Sequence, residues 1–436
     1  MKKVFLIVSL LIGIVFYAYC SELSEALKRL PRVVSVEELK TNSFFSEKYL
    51  IMFEQLIDYD NPKLGTFQQR VFVCHKDFNA PVVFTTEGYG GNYCENNKYM
   101  NELCSILVAN EVFVEHRYFS KSVPDSIDWQ TLTTSNAAAD CHAVFESLKK
   151  VYKKKWLATG ISKGGTTCLL YEMYYPNDMD ATIAYVAPVA KGVEDGRHEP
   201  FIAKTGTTKD QKKILEFQTE LLIRRATLFP WFEKEIAKQK YTFRIPVEEI
   251  YDYCVLEFSF AFWQWYGNTE RIPTKKDADD KFFNYWMAVS GPEYFSIEGS
   301  ESTLAAHYMF AHENGYYGYD TKAFDKTVSI NKEKIKLLKI ESSKGYFNKI
   351  FLPENMQTDF LPETMAKLEK FLQTKAKNTI LIYGEYDPWS AAAPDVSMNK
   401  NVLKIYNEKG NHGSRILSLS KVTQEFVVKK IVEIMN

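Results

Sequence analysis

The sequence predicts an α/β fold, a mostly parallel sheet with helices on both faces and one long helical insertion. Three observations carry that expectation. From about residue 69, short apolar runs alternate with loops and with stretches at helical spacing. After about Gly196 the alternation stops, and the chain is helical and aromatic down to about Pro362. The alternation then returns, with no repeat, low-complexity tract or Gly/Ser linker at either junction. The 436 residues, 46% hydrophobic and 25% charged, are enough for one large domain with an insertion. Formal net charge is −1 and no basic stripe stands out, so nucleic acid is not an expected partner. Aromatics, at 15%, are abundant enough to line a groove or pocket as well as a core.

The chain opens MKKVFLIVSLLIGIVFYAYC. Two lysines precede an apolar run from Val4 to about Ala18, shorter than the ~20 residues that span a bilayer. This is the pattern of a secretory signal, with small residues Ala18 and Cys20 placed for a cut after Cys20. The rival reading lipidates Cys20, and Tyr19 argues against it, because a small residue is expected there. Removal of residues 1–20 leaves no stable membrane span and implies an exported protein. Next, "RVFVC" and "APVVFTTEGYGG" read as strands, the second ending in a glycine loop. "CSILVANEVFVEHRYF" gives a helix end followed by a strand, and "SNAAADCHAVFESLKKVYKK" is helical. "WLATG" is a short buried strand, "TTCLLYEMYY" a helix stopped by Pro176, and "DATIAYVAPVA" a further strand. The insertion contains two long helical pieces, residues 214–239 and 250–267. "NTILIYG" and "NVLKIYN" are late strands, and "KVTQEFVVKKIVEIM" closes the chain as a helix. The expected organisation is therefore 1–20 leader, 21–195 first part of the α/β domain, 196–362 helical cap insertion and 363–436 second part.

Six cysteines follow the leader: Cys74, Cys94, Cys104, Cys141, Cys168 and Cys254. In an oxidising compartment they allow three disulfides of undetermined pairing, although Cys168, inside a helix, reads as a buried free thiol. No C-x-x-C occurs, and His307 and His312, five apart, share no helix face, so neither a metal nor a cofactor is expected.

The chemistry centres on Gly160-Ile161-Ser162-Lys163-Gly164. A strand, this turn and a helix follow in order, as a nucleophile elbow requires: glycines flank a serine in strained backbone, and the next helix offers its N–H groups to an oxyanion. Serine needs a base, and in α/β-hydrolases the chain order is Ser, acid, His. Of seven histidines, His412 alone follows a late strand in a loop, "NEKGNHGSR". Past the strand "TILIYG", Asp387 lies deeper in the turn than Glu385, and Pro388 helps to fix that turn. Asp387 is thus the expected orienter of His412, with Glu385 the fallback. The oxyanion donors are expected to be the backbone N–H of Lys163 and that of Gly88 or Tyr89.

With "FVEHRYFSKSVP", "DWQTLTTSNAAADCHAVFESLKKVY", "TGISKGGTT", "YVAPVA" and "GEYDPWS" in view, the chain resembles the secreted serine aminopeptidases that include the prolyl tri- and tetrapeptidyl aminopeptidases. More distantly it is similar to prolyl carboxypeptidase and its dipeptidyl-peptidase relatives. The resemblance implies an α/β-hydrolase with a helical cap. It also implies hydrolysis of oligopeptides from a free N-terminus, often after proline, through an acyl-enzyme on Ser162. A carboxylate in or near the cap would then bind the substrate ammonium, with Glu257 and Glu313 as candidates and Glu87 and Glu115 nearer the sheet. Trp263 and Trp265 could stack on proline. An esterase or lipase on the same fold is the alternative, since the same three residues hydrolyse esters.

Overall fold

The computed structural model describes residues 21–330 and 332–436, and the expected leader with Cys20 lies outside them. The first seven strands are β1 (Val33–Glu38), β2 (Glu47–Leu56), β3 (Thr66–His75), β4 (Val82–Thr86), β5 (Asn110–Val114), β6 (Trp156–Ile161) and β7 (Ala181–Tyr185). A small hairpin, β8 (Thr327–Ile330) and β9 (Glu333–Lys336), stands apart, and β10 (Thr379–Gly384) and β11 (Val402–Asn407) complete the set. Nine of them form one sheet in the order β1-β2-β3-β5-β4-β6-β7-β10-β11. Pairings from β1 to β5 are antiparallel, and every pairing from β5 through β4 to β11 is parallel. In β4, β5 and β7 every residue is buried, as expected of parallel strands covered on both faces.

Helices Thr134–Leu148 and Lys163–Tyr174 cover the sheet near its centre, and Lys421–Met435 closes the chain. Along β4 the side chains alternate between two cores: Val82 and Phe84 join Val144, Trp156 and Tyr171, while Val83 joins Leu157, Ile183 and Ile431. This is the α/β-hydrolase architecture, with the strand–turn–helix at Ser162 in the middle of the sheet.

Between β7 and β10 the chain leaves the sheet and forms a largely helical segment, called the cap below. Its main helices are Thr208–Ile223, Arg225–Gln239, Val247–Trp265 and Asp279–Ser290. The stretch 214–239, expected as one helical piece, is two helices divided at Arg224. The hairpin of β8 and β9 also departs from a purely helical expectation. Most cap aromatics build the cap's own core, in which Phe232 stacks on Trp286 at 5.3 Å and Phe217 on Phe282 at 5.0 Å.

All six described cysteines are buried free thiols, so the disulfides considered from the sequence are not formed. Among the described residues no helix is long and apolar enough to cross a membrane.

Candidate active site

Ser162 stands between β6 and the helix Lys163–Tyr174 with φ 56° and ψ −124°. That backbone is unfavourable for a residue with a Cβ and persists only where the surroundings impose it. They do so here: the Ser162 N–H donates to the Tyr185 carbonyl at 2.8 Å, and its carbonyl accepts from the Thr166 N–H at 3.0 Å. Gly160 is required, because a Cβ there would collide with the Gly164 carbonyl. A Cβ on Gly164 would come 2.8 Å from the Thr86 carbonyl oxygen.

Asp387 and His412 arrive from the ends of β10 and β11. Asp387 is fully buried and caps the short turn of helix Pro388–Ala392. Its Oδ1 accepts from the Trp389 N–H at 3.2 Å, and its Oδ2 lies 2.7 Å from His412 Nδ1. Since Oδ2 of the ionised acid only accepts, Nδ1 carries the hydrogen, and neutral His412 keeps its lone pair on Nε2. The histidine loop is also tied to the cap: the His412 N–H donates to the Gln264 carbonyl at 3.1 Å, and Asn411 donates to the Trp265 carbonyl at 3.1 Å. Glu385, the fallback acid, is exposed and accepts instead from the Lys409 N–H at 2.7 Å.

Ser162 opens into a cavity of about 500 Å³ between the sheet and the cap. Tyr89 and Trp389 line it from the sheet side, and Glu257, Trp265, Tyr294 and Tyr317 are among its cap residues. The rings of Trp265 and Trp389 lie 5.3 and 6.4 Å from that of His412, which places the histidine beside the same cavity. The glycine loop packs directly on the elbow, since a Cβ on Gly88 would come 2.8 Å from Lys163 Cβ. Glu115 pins that loop by accepting from the Gly91 N–H at 2.6 Å while it takes Arg70 Nε at 2.9 Å. Glu87, its pKa raised by burial, accepts from the Tyr93 hydroxyl at 2.5 Å and lies near the Gly88 and Tyr89 N–H groups.

The two amine-binding candidates part company. Glu257 lines the cavity, and its Oε2 accepts from the hydroxyls of Tyr317 at 3.0 Å and Tyr319 at 2.7 Å. Burial nonetheless pushes its pKa up to about 8. Glu313 does not line the cavity. Its carboxylate accepts from the Thr134 N–H at 2.7 Å, the Thr134 hydroxyl at 3.1 Å and the Thr364 hydroxyl at 3.0 Å, so it serves the start of the helix Thr134–Leu148. The tryptophans part in the same way. Trp265 is in the cavity and 55% exposed, whereas Trp263 is buried and lines a different, apolar cavity of about 450 Å³ inside the cap. Sequence reasoning did not single out Trp389, Tyr294 or Tyr317. The Asp-Pro-Trp turn was the available signal for Trp389, and nothing local marks the two tyrosines.

Ligand atoms of His142, Glu146 and Asp178 lie within 4.8 Å of one another. His142 Nδ1 is 2.7 Å from Asp178 Oδ2, which also accepts from the Tyr171 hydroxyl at 2.6 Å, so a histidine–carboxylate pair accounts for the group.

A family model described as PS-10 peptidase S37 matches residues 20–433. Over 410 residues, 92% of this chain and 82% of the relative, the sequence is 30% identical to a prolyl tri/tetrapeptidyl aminopeptidase of Streptomyces mobaraensis. It is also 30% identical, over 33% of each chain, to a lysosomal Pro-X carboxypeptidase of Mus musculus. Among solved structures, a proline iminopeptidase of Mycobacterium smegmatis aligns with TM-score 0.40 and 11% identity, covering 92% of this chain and 99% of that one.

Proposed function

Because the chain belongs to the S37 peptidase family and is a serine peptidase, we propose that it releases short peptides from the free N-terminus of oligopeptides, with a preference for cutting after proline. The observation that carries this reading is the buried carboxyl of Glu257 in the same cavity as Ser162. A lipid-binding groove has no use for a buried acid, whereas an α-ammonium pairs with one.

In this reading Ser162 Oγ attacks the scissile carbonyl and His412 Nε2 takes its proton. Asp387 holds the Nδ1–H tautomer and stabilises the imidazolium. Negative charge on the carbonyl oxygen is met by the Lys163 N–H, at the free end of its helix, and by the Gly88 or Tyr89 N–H. Collapse of the tetrahedral intermediate breaks the C–N bond, and His412 returns the proton to the leaving amine. Water then hydrolyses the acyl-enzyme by the same route. Glu257 binds the substrate α-ammonium, and Trp265 and Trp389 offer aromatic faces to a proline ring. The N-terminal leader supports export.

The test incubates the protein and Ser162→Ala with a proline-containing oligopeptide, free and N-acetylated, and reads products by mass. Short N-terminal fragments from the free peptide alone, absent with the variant, are expected. Cutting of both forms would remove the role of Glu257, and cutting of neither, with turnover of acyl esters, would establish the esterase reading.

A further inference from the structure

Lys163 contributes its backbone N–H to the proposed oxyanion site, but its side chain is unexplained. It is 3% exposed, and its Nζ has no hydrogen-bond partner among the described residues. Nζ lies 5.9 Å from the centre of the Tyr89 ring and 5.8 Å from that of Phe119. A desolvated amine against two aromatic faces is a costly placement that the fold nevertheless keeps.

A second buried orphan shares the Phe119 ring. His116 packs edge-on to Phe119 at 5.6 Å, and its Nε2 also has no partner. Its Nδ1 is 2.8 Å from the Arg117 carbonyl oxygen, which can only accept, so Nδ1 carries the hydrogen and Nε2 is a bare acceptor. One group is a donor with no acceptor and the other an acceptor with no donor.

We propose that the Lys163 side chain supports the reaction through its charge: a buried cation against the Tyr89 and Phe119 rings, at the foot of the Gly88–Tyr89 loop, that lowers the cost of negative charge on the oxygen held there. The proposal rests on the reading of Ser162 as the nucleophile. Its basis is burial beside that loop. A charge in a water-excluded site acts on a neighbouring oxyanion far more strongly than it would in water. The charged and titratable groups that act on Lys163 are Glu87 from the glycine loop, His116 from the loop after β5, and Glu313 from the cap. Burial lowers the Lys163 pKa to about 7 against the pull of Glu87 and Glu313, and the pKa of His116 falls well below its ordinary value through burial and through Lys163. The cation is present below the lysine pKa and lost as pH rises through it. A negative oxygen nearby favours keeping it.

The experiment measures the rate constant for labelling of Ser162 by a fluorophosphonate from pH 6 to 9.5, for wild type, Lys163→Met and Lys163→Arg. Both variants keep the backbone N–H. Wild type is expected to lose rate on the alkaline side as the amine deprotonates. Lys163→Met should be slower by about tenfold or more near neutrality, with no alkaline fall, since a single oxyanion donor is worth about 10²–10³. Lys163→Arg, charged throughout, should keep its rate to high pH. The proposal is overturned if folded Lys163→Met labels with the rate and profile of wild type. If that variant does not fold, Lys163→Arg decides, and an alkaline fall identical to wild type overturns the proposal. A wild type that takes no label overturns the reading of Ser162 itself, and this proposal with it.

Discussion

At the scale of single residues, the proposed chemistry turns on how each polar group is desolvated and what it meets. Asp387 divides its carboxylate, one oxygen for its own turn and one for His412, so removing its charge disturbs tautomer and geometry together. Asp387→Asn should slow turnover by about 10⁴-fold with little change in melting temperature, measured with a free oligopeptide. Glu257, with its pKa near 8, is mostly the neutral acid at pH 6 and ionises as pH rises. A peptide α-amine, with a pKa of about 7.7–8.0, stays charged over most of that range. KM for a free peptide should therefore fall as pH rises from 6 toward 8, and it should rise again once the amine deprotonates. Glu257→Gln should remove the fall and raise KM about tenfold or more. A KM that is flat with pH and indifferent to the substitution would leave Glu257 a purely structural acid. The turn at Ser162 and the contact of Asp387 with His412 could be anticipated because each residue follows a strand end in a fixed order along the chain. The separation of Glu257 from Glu313, and of Trp263 from Trp265, was not. Which way a helical side chain points depends on what packs against the helix, and neighbouring positions in one run face different cavities.

The secondary-structure elements explain why Glu313 looked like a binding residue. A buried carboxylate beside the catalytic domain is the right chemistry, but here it satisfies the N–H of Thr134, the first residue of the helix Thr134–Leu148, which has no intrahelical partner. Glu313→Ala should lower stability by about 1–2 kcal/mol, through the loss of a helix-start acceptor, and leave KM for free peptides unchanged. A large KM change without a change in the thermal melt would reverse that assignment. The parallel strands were legible because burial on both faces makes them short, uninterrupted apolar runs. The ribbon of β1 and β2 and the hairpin of β8 and β9 carry no such signal. The break at Arg224 is also a tertiary matter: its guanidinium donates to Asp279 at 2.8 Å and to the Asp277 and Lys275 carbonyls at 3.0 and 2.8 Å, far along the chain.

At the scale of the molecule, stability among the described residues comes from packing and buried polar pairing rather than from covalent cross-links. Arg117, fully buried, is held by both oxygens of Asp140 at 2.6 and 2.8 Å and by the Ile57 carbonyl at 2.8 Å. The six described thiols are buried. A thiol reagent should find none of them in the native protein and all six after unfolding, and added reductant should not shift the melting temperature. The tie between His412 and the end of the cap helix Val247–Trp265 reaches further than geometry. In the proposed mechanism the base is tied by a backbone hydrogen bond to the last turn of that cap helix. A chain whose cap has been pried away would keep His412 on Asp387 alone, without the tie to Gln264. The proposed mechanism thus couples competence to cut with enclosure. In that mechanism a roofed cleft and a fully held base arrive together, so a chain with an unformed cap would carry a poorly armed serine.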